Sequence, residues 1–239
     1  MTKRWVWWLI ALVPVMGVVT LPASPFLRAN YGAVSIERVD GRVWAGEAVV
    51  DWPGQSPLPL SWRWSGGLEW AWWVRSEDIN IEGRWRLTDR SALQGIRGRV
   101  NVQALDMAQW LVVTWPQGAL EIDVERVAWS QPDGLWATGQ VKWEEASLAG
   151  LVNESLGDVV ADLSPSTQHA GHTQVEIRSS ASGAVAVQGD VLTNGDQYRA
   201  TITLAPDPSR PDIARFFQSL GSQRDGQVVI ERAGQWGVF

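Results

Sequence analysis

Gly118-Ala119-Leu120-Glu121-Ile122-Asp123-Val124-Glu125-Arg126-Val127-Ala128-Trp129 carries the clearest pattern in the chain. Leu120, Ile122 and Val124 alternate with Glu121, Asp123 and Glu125. A period of two with apolar and charged positions in turn is the pattern of a half-buried strand. Val127 and Trp129 then fall on the opposite parity. The break at Glu125-Arg126 predicts a β-bulge, which inserts one residue and flips the phase of everything after it.

The same period extends in both directions. Upstream, Leu60, Trp62 and Trp64 alternate with Ser61, Arg63 and Ser65; Gly66-Gly67 predicts a turn, and Leu68, Trp70 and Trp72 resume the alternation. Ile79, Ile81, Trp85 and Leu87 continue it, with Gly83 predicted as a bulge, and Ile96–Gln103 reads as a further strand. Asp40-Gly41 predicts a hairpin turn feeding a strand through Val50, in which Gly46 marks a bulge or a close backbone approach. On such a strand Arg42, Trp44 and Gly46 share one face and Val43 and Ala45 the other. Downstream, Pro116-Gln117-Gly118 predicts a turn, and Asp133-Gly134 another, leading into Trp136–Trp143. The stretch 144–160 has partial helical spacing at Leu148, Leu151, Val152 and Leu156, with Gly150 and Gly157 against it. Residues 163–174 read as a loop. Val175 and Ile177, then Val185 to Val191, are strands, and Asn194-Gly195 closes a hairpin onto Tyr198–Leu204. Asp225-Gly226 turns into a last strand at Val228–Glu231.

Two helices are predicted among these strands. One is short, over residues 105–113, with Asp106 as N-cap and Met107, Trp110 and Leu111 at helical spacing. The other runs over Pro211–Leu220: Ile213, Phe216, Phe217 and Leu220 make one apolar face, and Gly221 follows as a helix stop. Gly41–Ala48 is similar to Gly139–Ala146, which suggests one hairpin design used twice. Turns roughly every ten residues predict a mainly β protein, a curled antiparallel β-sheet or a β-sandwich.

The first part of the chain follows another rule. No charged residue occurs from Trp5 to Leu27, and Lys3 and Arg4 precede the run. Wholly helical, it is about 35 Å long at about 1.5 Å per residue, enough for a hydrocarbon core of about 30 Å. Trp5, Trp7 and Trp8 suit the headgroup level, and Lys3-Arg4 predicts a cytoplasmic N-terminus, with the rest of the chain carried across. Pro22 and Pro25 leave no clean cleavage site for a signal peptidase, so the segment is read as a retained anchor. The predicted organisation is residues 1–22 as cytoplasmic start and transmembrane helix, 23–30 as linker, and 31–239 as one exported β domain.

The formal net charge is -6, and the exported part is more acidic still, since Lys3 and Arg4 stay behind. That argues against nucleic acid as a partner, which needs a basic stripe. There is no cysteine, which removes thiol nucleophiles, thiolate metal sites and disulfides. His169 and His172 are spaced as a ligand pair, but nothing near them in sequence completes a site. Glu77-Asp78 and Glu144-Glu145 are adjacent carboxylates, which on a strand point to opposite faces. No nucleophile elbow, phosphate loop or dinucleotide fingerprint appears. The expectation is a protein that is not an enzyme, with no catalytic residues, metal or cofactor.

Tryptophan is the outlier: 17 residues, against two tyrosines and four phenylalanines. Trp62, Trp64, Trp70, Trp72, Trp85, Trp129 and Trp143 are read first as core, or as the lining of one sheet face. Trp62, Trp64, Trp70 and Trp72 are the candidate contacts for a partner or lipid, because indole suits interfaces.

Together these residues resemble a known family. The N-terminal apolar run leads to Leu21-Pro22-Ala23, then to Val39-Asp40-Gly41-Arg42-Val43-Trp44-Ala45-Gly46-Glu47-Ala48-Val49-Val50, then to a Pro-x-Gly and strand–Trp–Gly–strand–Trp unit over 116–143, and finally to a strand pair, a loop, a helix ending at Leu220-Gly221 and a closing strand. This order is similar to protein N of the type II secretion system of Gram-negative bacteria. The resemblance implies a single-pass inner-membrane protein with a periplasmic domain, an accessory in protein secretion whose partners are the inner membrane and other secretion components. It also implies, by analogy with AsmA-like curled sheets, lipid as a further partner. The alternatives are a lipid or hydrophobic-ligand handling protein of the envelope, and a glycan-binding envelope module.

Overall fold

The structure, a computed structural model, describes residues 22–23, 30–31, 34–51, 56–105, 114–130, 134–150, 154–180, 183–210, Ile213, Phe216, Phe217 and 221–235. The expected anchor before Pro22, most of the linker and the expected helix after Leu105 lie outside them. Among the described residues no helix is long and apolar enough to cross a membrane.

The expected strands form one antiparallel sheet rather than two stacked ones, and it is not closed. Its strands are β1 (Asn30–Tyr31), β2 (Val34–Arg42), β3 (Ala45–Asp51), β4 (Leu58–Gly66), β5 (Glu69–Arg75), β6 (Ile79–Arg86), β7 (Asp89–Asn101), β8 (Thr114–Ser130), β9 (Gly134–Gly150), β10 (Glu154–Pro165), β11 (Thr173–Ser179), β12 (Val185–Thr193), β13 (Gln197–Pro206), β14 (Ser222–Arg224) and β15 (Gln227–Gln235). Spatial order follows chain order, except that β15 lies between β13 and β14. Both edges end in very short strands, a common protection against edge-to-edge pairing.

Register gives the sheet two unlike faces. Ala48, Leu60, Val74 and Ile81 lie directly opposite one another on β3 to β6. The row continues through Gly98, Ile122, Val141 and Ala161 on β7 to β10, and through Ile177, Gly189, Ile202 and Ile230 to β15. One residue away runs a polar row, from Asp40, Glu47 and Ser61 through Glu82, Arg97 and Asp123 to Glu231, with Trp73 as its member on β5. Ion pairs lace the polar face: Arg97 Nε meets Asp123 at 3.0 Å, Lys142 Nζ meets Asp158 at 3.0 Å, and Arg178 pairs with Asp162.

The apolar face has a covered cluster at each end. Toward the N-terminus, Ala23, Val39, Ala48, Trp62 and Trp70 are buried together, with Trp44, Trp72 and Trp85 packed on them. Toward the C-terminus, Ile213 and Phe217 are helical and are buried among Val185, Leu204 and Val228. Ile213 and Phe217 thus lie on the apolar side that the sequence assigned to this helix. Ile81, Ile122, Val141 and Ala161, in the middle of the apolar row, are half-buried and belong to neither cluster.

Several expectations are corrected. The hairpin after β2 turns at Val43-Trp44, so Trp44 is a turn residue, and Asp40-Gly41 lies within β2. The parity assigned to that stretch fails with it: Arg42 and Ala45 pair across the turn, and Gly46 faces Trp62. Gly41 takes φ +97° directly opposite Gly46, where a Cβ would stand 2.7 Å from the Gly46 Cα. Pro116-Gln117-Gly118 does not turn the chain; it lies inside β8, with a register shift at Gly118. Within 144–160, β9 runs to Gly150 and β10 begins at Glu154, antiparallel to it; residues 163–174 are mostly the expected loop, with 163–165 ending β10 and 173–174 opening β11. The two similar octapeptides do different things. Gly41–Ala48 straddles a turn, whereas Gly139–Ala146 lies inside β9 and ends in a register shift at Glu145, which takes φ +51°.

Gly83 is not the bulged residue. Burial alternates through it, and the extra residue sits opposite, on β7 beside Gly95 at φ +57°. Gly83 instead leaves room for its cross-strand neighbour Trp72, whose Cζ2 is 2.6 Å from where a Cβ would stand. Gly83→Val should displace that ring at a cost of about 1–3 kcal/mol, the usual penalty of overpacking. The check is the midpoint of urea unfolding; an unchanged midpoint would mean that Trp72 has somewhere else to go.

Candidate functional site

The candidate site begins with the tryptophans, which register sorts into two rows. Trp62 and Trp72 are direct cross-strand partners, with Gly46 outside Trp62 and Gly83 outside Trp72. Each indole extends over the adjacent glycine, where no side chain competes for the space. Trp62 Nε1 donates to Arg42 O at 3.1 Å, on the far side of Gly46. Trp72 Nε1 is buried and has no hydrogen-bond partner among the described residues.

The second row is Trp64, Trp70 and Trp85. Trp44, in the β2–β3 turn, joins it. Its ring stacks on Trp70 with centroids 5.7 Å apart and an interplanar angle of 15°, and meets Trp64 edge-on at 5.8 Å. Trp85 lies 5.2 Å from Trp70 on the other strand. Trp70 Nε1 donates to Val43 O at 3.0 Å, which fixes the turn to β5. Aromatic pairs of this geometry contribute about 0.5–1.5 kcal/mol beyond their buried area.

Of the four candidate contacts, Trp62 and Trp70 are buried, Trp72 is half-buried and Trp64 is 46% exposed. The register brings all four onto one face. Trp64 stands with the exposed Leu68 at the β4–β5 turn, its Nε1 tied to Gly67 O at 2.9 Å. Trp44 and Trp85 lie outside the four expected contacts, and the ring geometry packs both against them. Trp73 is the residue that sequence reasoning passed over. Its parity, opposite to that of Trp72, places it on the polar face, and that much was visible in the sequence. Trp143 lies beyond this cluster, its Nε1 donating to Gln117 O at 2.9 Å.

The charged candidates resolve into sheet structure. His169 and His172 lie in the β10–β11 turn with ring centroids 5.6 Å apart, and His172 Nδ1 is 3.0 Å from Ala170 O. Among the described residues no group of three or more His, Cys, Asp or Glu side chains is gathered as metal ligands would be. Glu144 meets Arg99 at 2.9 Å and Lys142 at 3.3 Å. Asp78 accepts from Asn101 Nδ2 at 3.1 Å.

The shifted acids are held by such contacts. A hydrogen bond from Arg86 keeps the Glu69 carboxyl below its ordinary range, and one from Lys142 does the same for Asp158. Asp207 is lowered by the Ser209 amide, while Asp158 and Glu144 raise Lys142. The linkage signs follow. The stabilisation from the depressed acids is present above their unfolded pKa and is lost as pH falls through the folded pKa. That from Lys142 is present below its unfolded pKa and is lost as pH rises through the folded one. A carbon-detected NMR titration should therefore find Asp158 titrating below an ordinary aspartate, and Lys142→Met should move it upward. An unchanged Asp158 midpoint in that variant would show that the Glu145 amide alone holds it.

What the arrangement offers chemically is a rigid aromatic wall and an apolar band, backed by a charge-matched face. No curated protein and no solved structure matches the chain. A family model does, over residues 32–231, which takes in nearly the whole sheet. The chain belongs to the type II secretion system (T2SS) protein N family, accessory components of that secretion machinery.

Proposed function

We propose that the protein is an inner-membrane accessory subunit of the type II secretion system whose β domain, residues 31–239, lies in the periplasm and takes part in protein export by binding rather than by catalysis. The observation that carries this reading is the family match across the sheet. The charge-free run from Trp5 to Leu27, led by Lys3-Arg4, supports the topology. Its partners are the inner membrane and other components of the system. Trp64 is the candidate contact that stands most exposed, its ring edge-on to Trp44, which stacks in turn on Trp70.

The topology is tested with reporters active only in the periplasm. One fused after Phe239 should be active, and one fused after Lys3 should be silent; the reverse pattern would overturn the assignment. Co-purification in mild detergent with the inner-membrane secretion components tests the role, and its clean failure counts against it.

A second reading, lipid handling, is favoured by one observation: the apolar row from Ala48 to Ile230 has a middle, from Ile81 to Ala161, that belongs to neither covered cluster. Native mass spectrometry of the 28–239 fragment, expressed beside membranes, should then show bound lipid. Repeatedly ligand-free spectra would remove this reading.

A further inference from the structure

The polar face of the sheet is not uniform. Between β2 and β5 it dips into a hollow of about 360 Å³, the size of a small-ligand site. Its floor is low because Gly41, Ala45, Gly46 and Ser61 carry little or no side chain. Trp73 closes one side, and Asp40, Glu47 and Arg63 stand around the rest.

Register explains how these groups come together. Asp40, Glu47, Ser61 and Trp73 are consecutive cross-strand partners. Arg63 is two residues along β4 from Ser61, so it lies on the same face and diagonal to Glu47. The Arg75 guanidinium lies over the Trp73 ring at 5.7 Å and pairs in turn with Glu82 at 3.6 Å.

Over much of the face acids meet bases in ion pairs, as Arg97 meets Asp123; where Asp162 and Glu176 stand directly opposite each other, Arg178 pairs with both. In the hollow, Asp40 and Glu47 are directly opposite each other, a pairing that costs a sheet stability. Among the described residues neither they nor Arg63 forms an ion pair. The hollow therefore keeps two acceptor carboxylates, one donor fork and an indole wall available together.

From this we infer that the hollow lined by Asp40, Glu47, Ser61, Arg63 and Trp73 binds a saccharide. Arg63 repels a cation and the two carboxylates repel an anion, so a simple ion of either sign meets an adverse charge. A neutral polyhydroxylated ring meets none. Its hydroxyls donate to Asp40 and Glu47 and accept from Arg63, while its C–H face lies against the Trp73 indole. The site lies on the face opposite to the stacked tryptophans, and the inference does not depend on the role proposed above.

The test is isothermal titration of the full-length protein, held in a detergent without a sugar headgroup, with soluble oligomers of N-acetylglucosamine, of glucose and of maltose-type linkage. At least one should bind saturably. Trp73→Ala should weaken that binding about tenfold, the loss expected for one stacked aromatic contact. Asp40→Asn and Glu47→Gln together should weaken it by a similar factor, and both residues are exposed, so the sheet should stay intact. If Trp73→Ala alters the circular dichroism, the double carboxylate variant decides the matter. Absence of saturable heat with all three oligomers overturns the inference. So does wild-type affinity in the double variant, or binding of a lysine-rich peptide with no saccharide binding.

Discussion

Trp70→Ala is expected to give a very large loss of stability for a single substitution in this protein. Trp70 is 7% exposed and touches Trp44 on one ring face and Trp85 on the other side. Its Nε1 is also the donor that ties β5 to the Val43 carbonyl in the β2–β3 turn. Alanine removes the stacking surface, opens a void and leaves that carbonyl without this donor. Loss of a buried aromatic of this size costs about 3–5 kcal/mol, a large part of the about 5–15 kcal/mol by which domains are held folded. Urea unfolding followed by near-ultraviolet circular dichroism should show a sharply lowered midpoint. Trp64→Ala is the comparison: that ring is 46% exposed, and its N–H is bonded only to its own turn. Its midpoint should move by less than about 1 kcal/mol. Equal effects for the two would show that the stack is not the core of this end.

The second large effect is expected at the other end. Phe217 is 3% exposed and packs with Ile213 against Val185, Leu204 and Val228. Phe217→Ala should cost about 3–5 kcal/mol by the same mechanism. The two clusters share no residue, and the apolar row between them belongs to neither. Separate packed units open separately. Hydrogen exchange in Phe217→Ala should therefore accelerate in β12, β13 and β15 while β3, β4 and β5 keep their protection. Acceleration spread evenly over the whole sheet would show instead that the ends unfold together.

Much of the sheet could be read from residues alone, wherever alternation is strict. The flip at Glu125-Arg126 is a real register shift, and Asn194-Gly195 and Asp225-Gly226 are real turns. The failures share a cause. Asp40-Gly41 looks like a turn because Gly allows positive φ, but the chain spends that freedom inside β2, where Gly41 meets Gly46. Residues 144–160 show partial helical spacing because β9 ends at Gly150 and β10 begins at Glu154, and the break between the two strands interrupts the period of two. The tryptophans could be assigned to faces but not to partners. That Trp62 sits opposite Trp72, with a glycine outside each, depends on register across three strand pairs, and register is a tertiary property. The hollow on the polar face was hidden for the same reason: its walls come from four strands and become neighbours only when all four are aligned.

The near-perfect agreement between chain order and spatial order has a further consequence. Each hairpin adds two rungs at about 4.8 Å each, so the row from Ala48 to Ile230 works as a ruler of roughly 50 Å. Gaining or losing one hairpin in the middle would lengthen or shorten that ruler by about 10 Å and leave both end clusters untouched. The reach of such a molecule can thus be set by strand number alone, and homologues that span a wider gap need only more rungs of the same two-faced pattern.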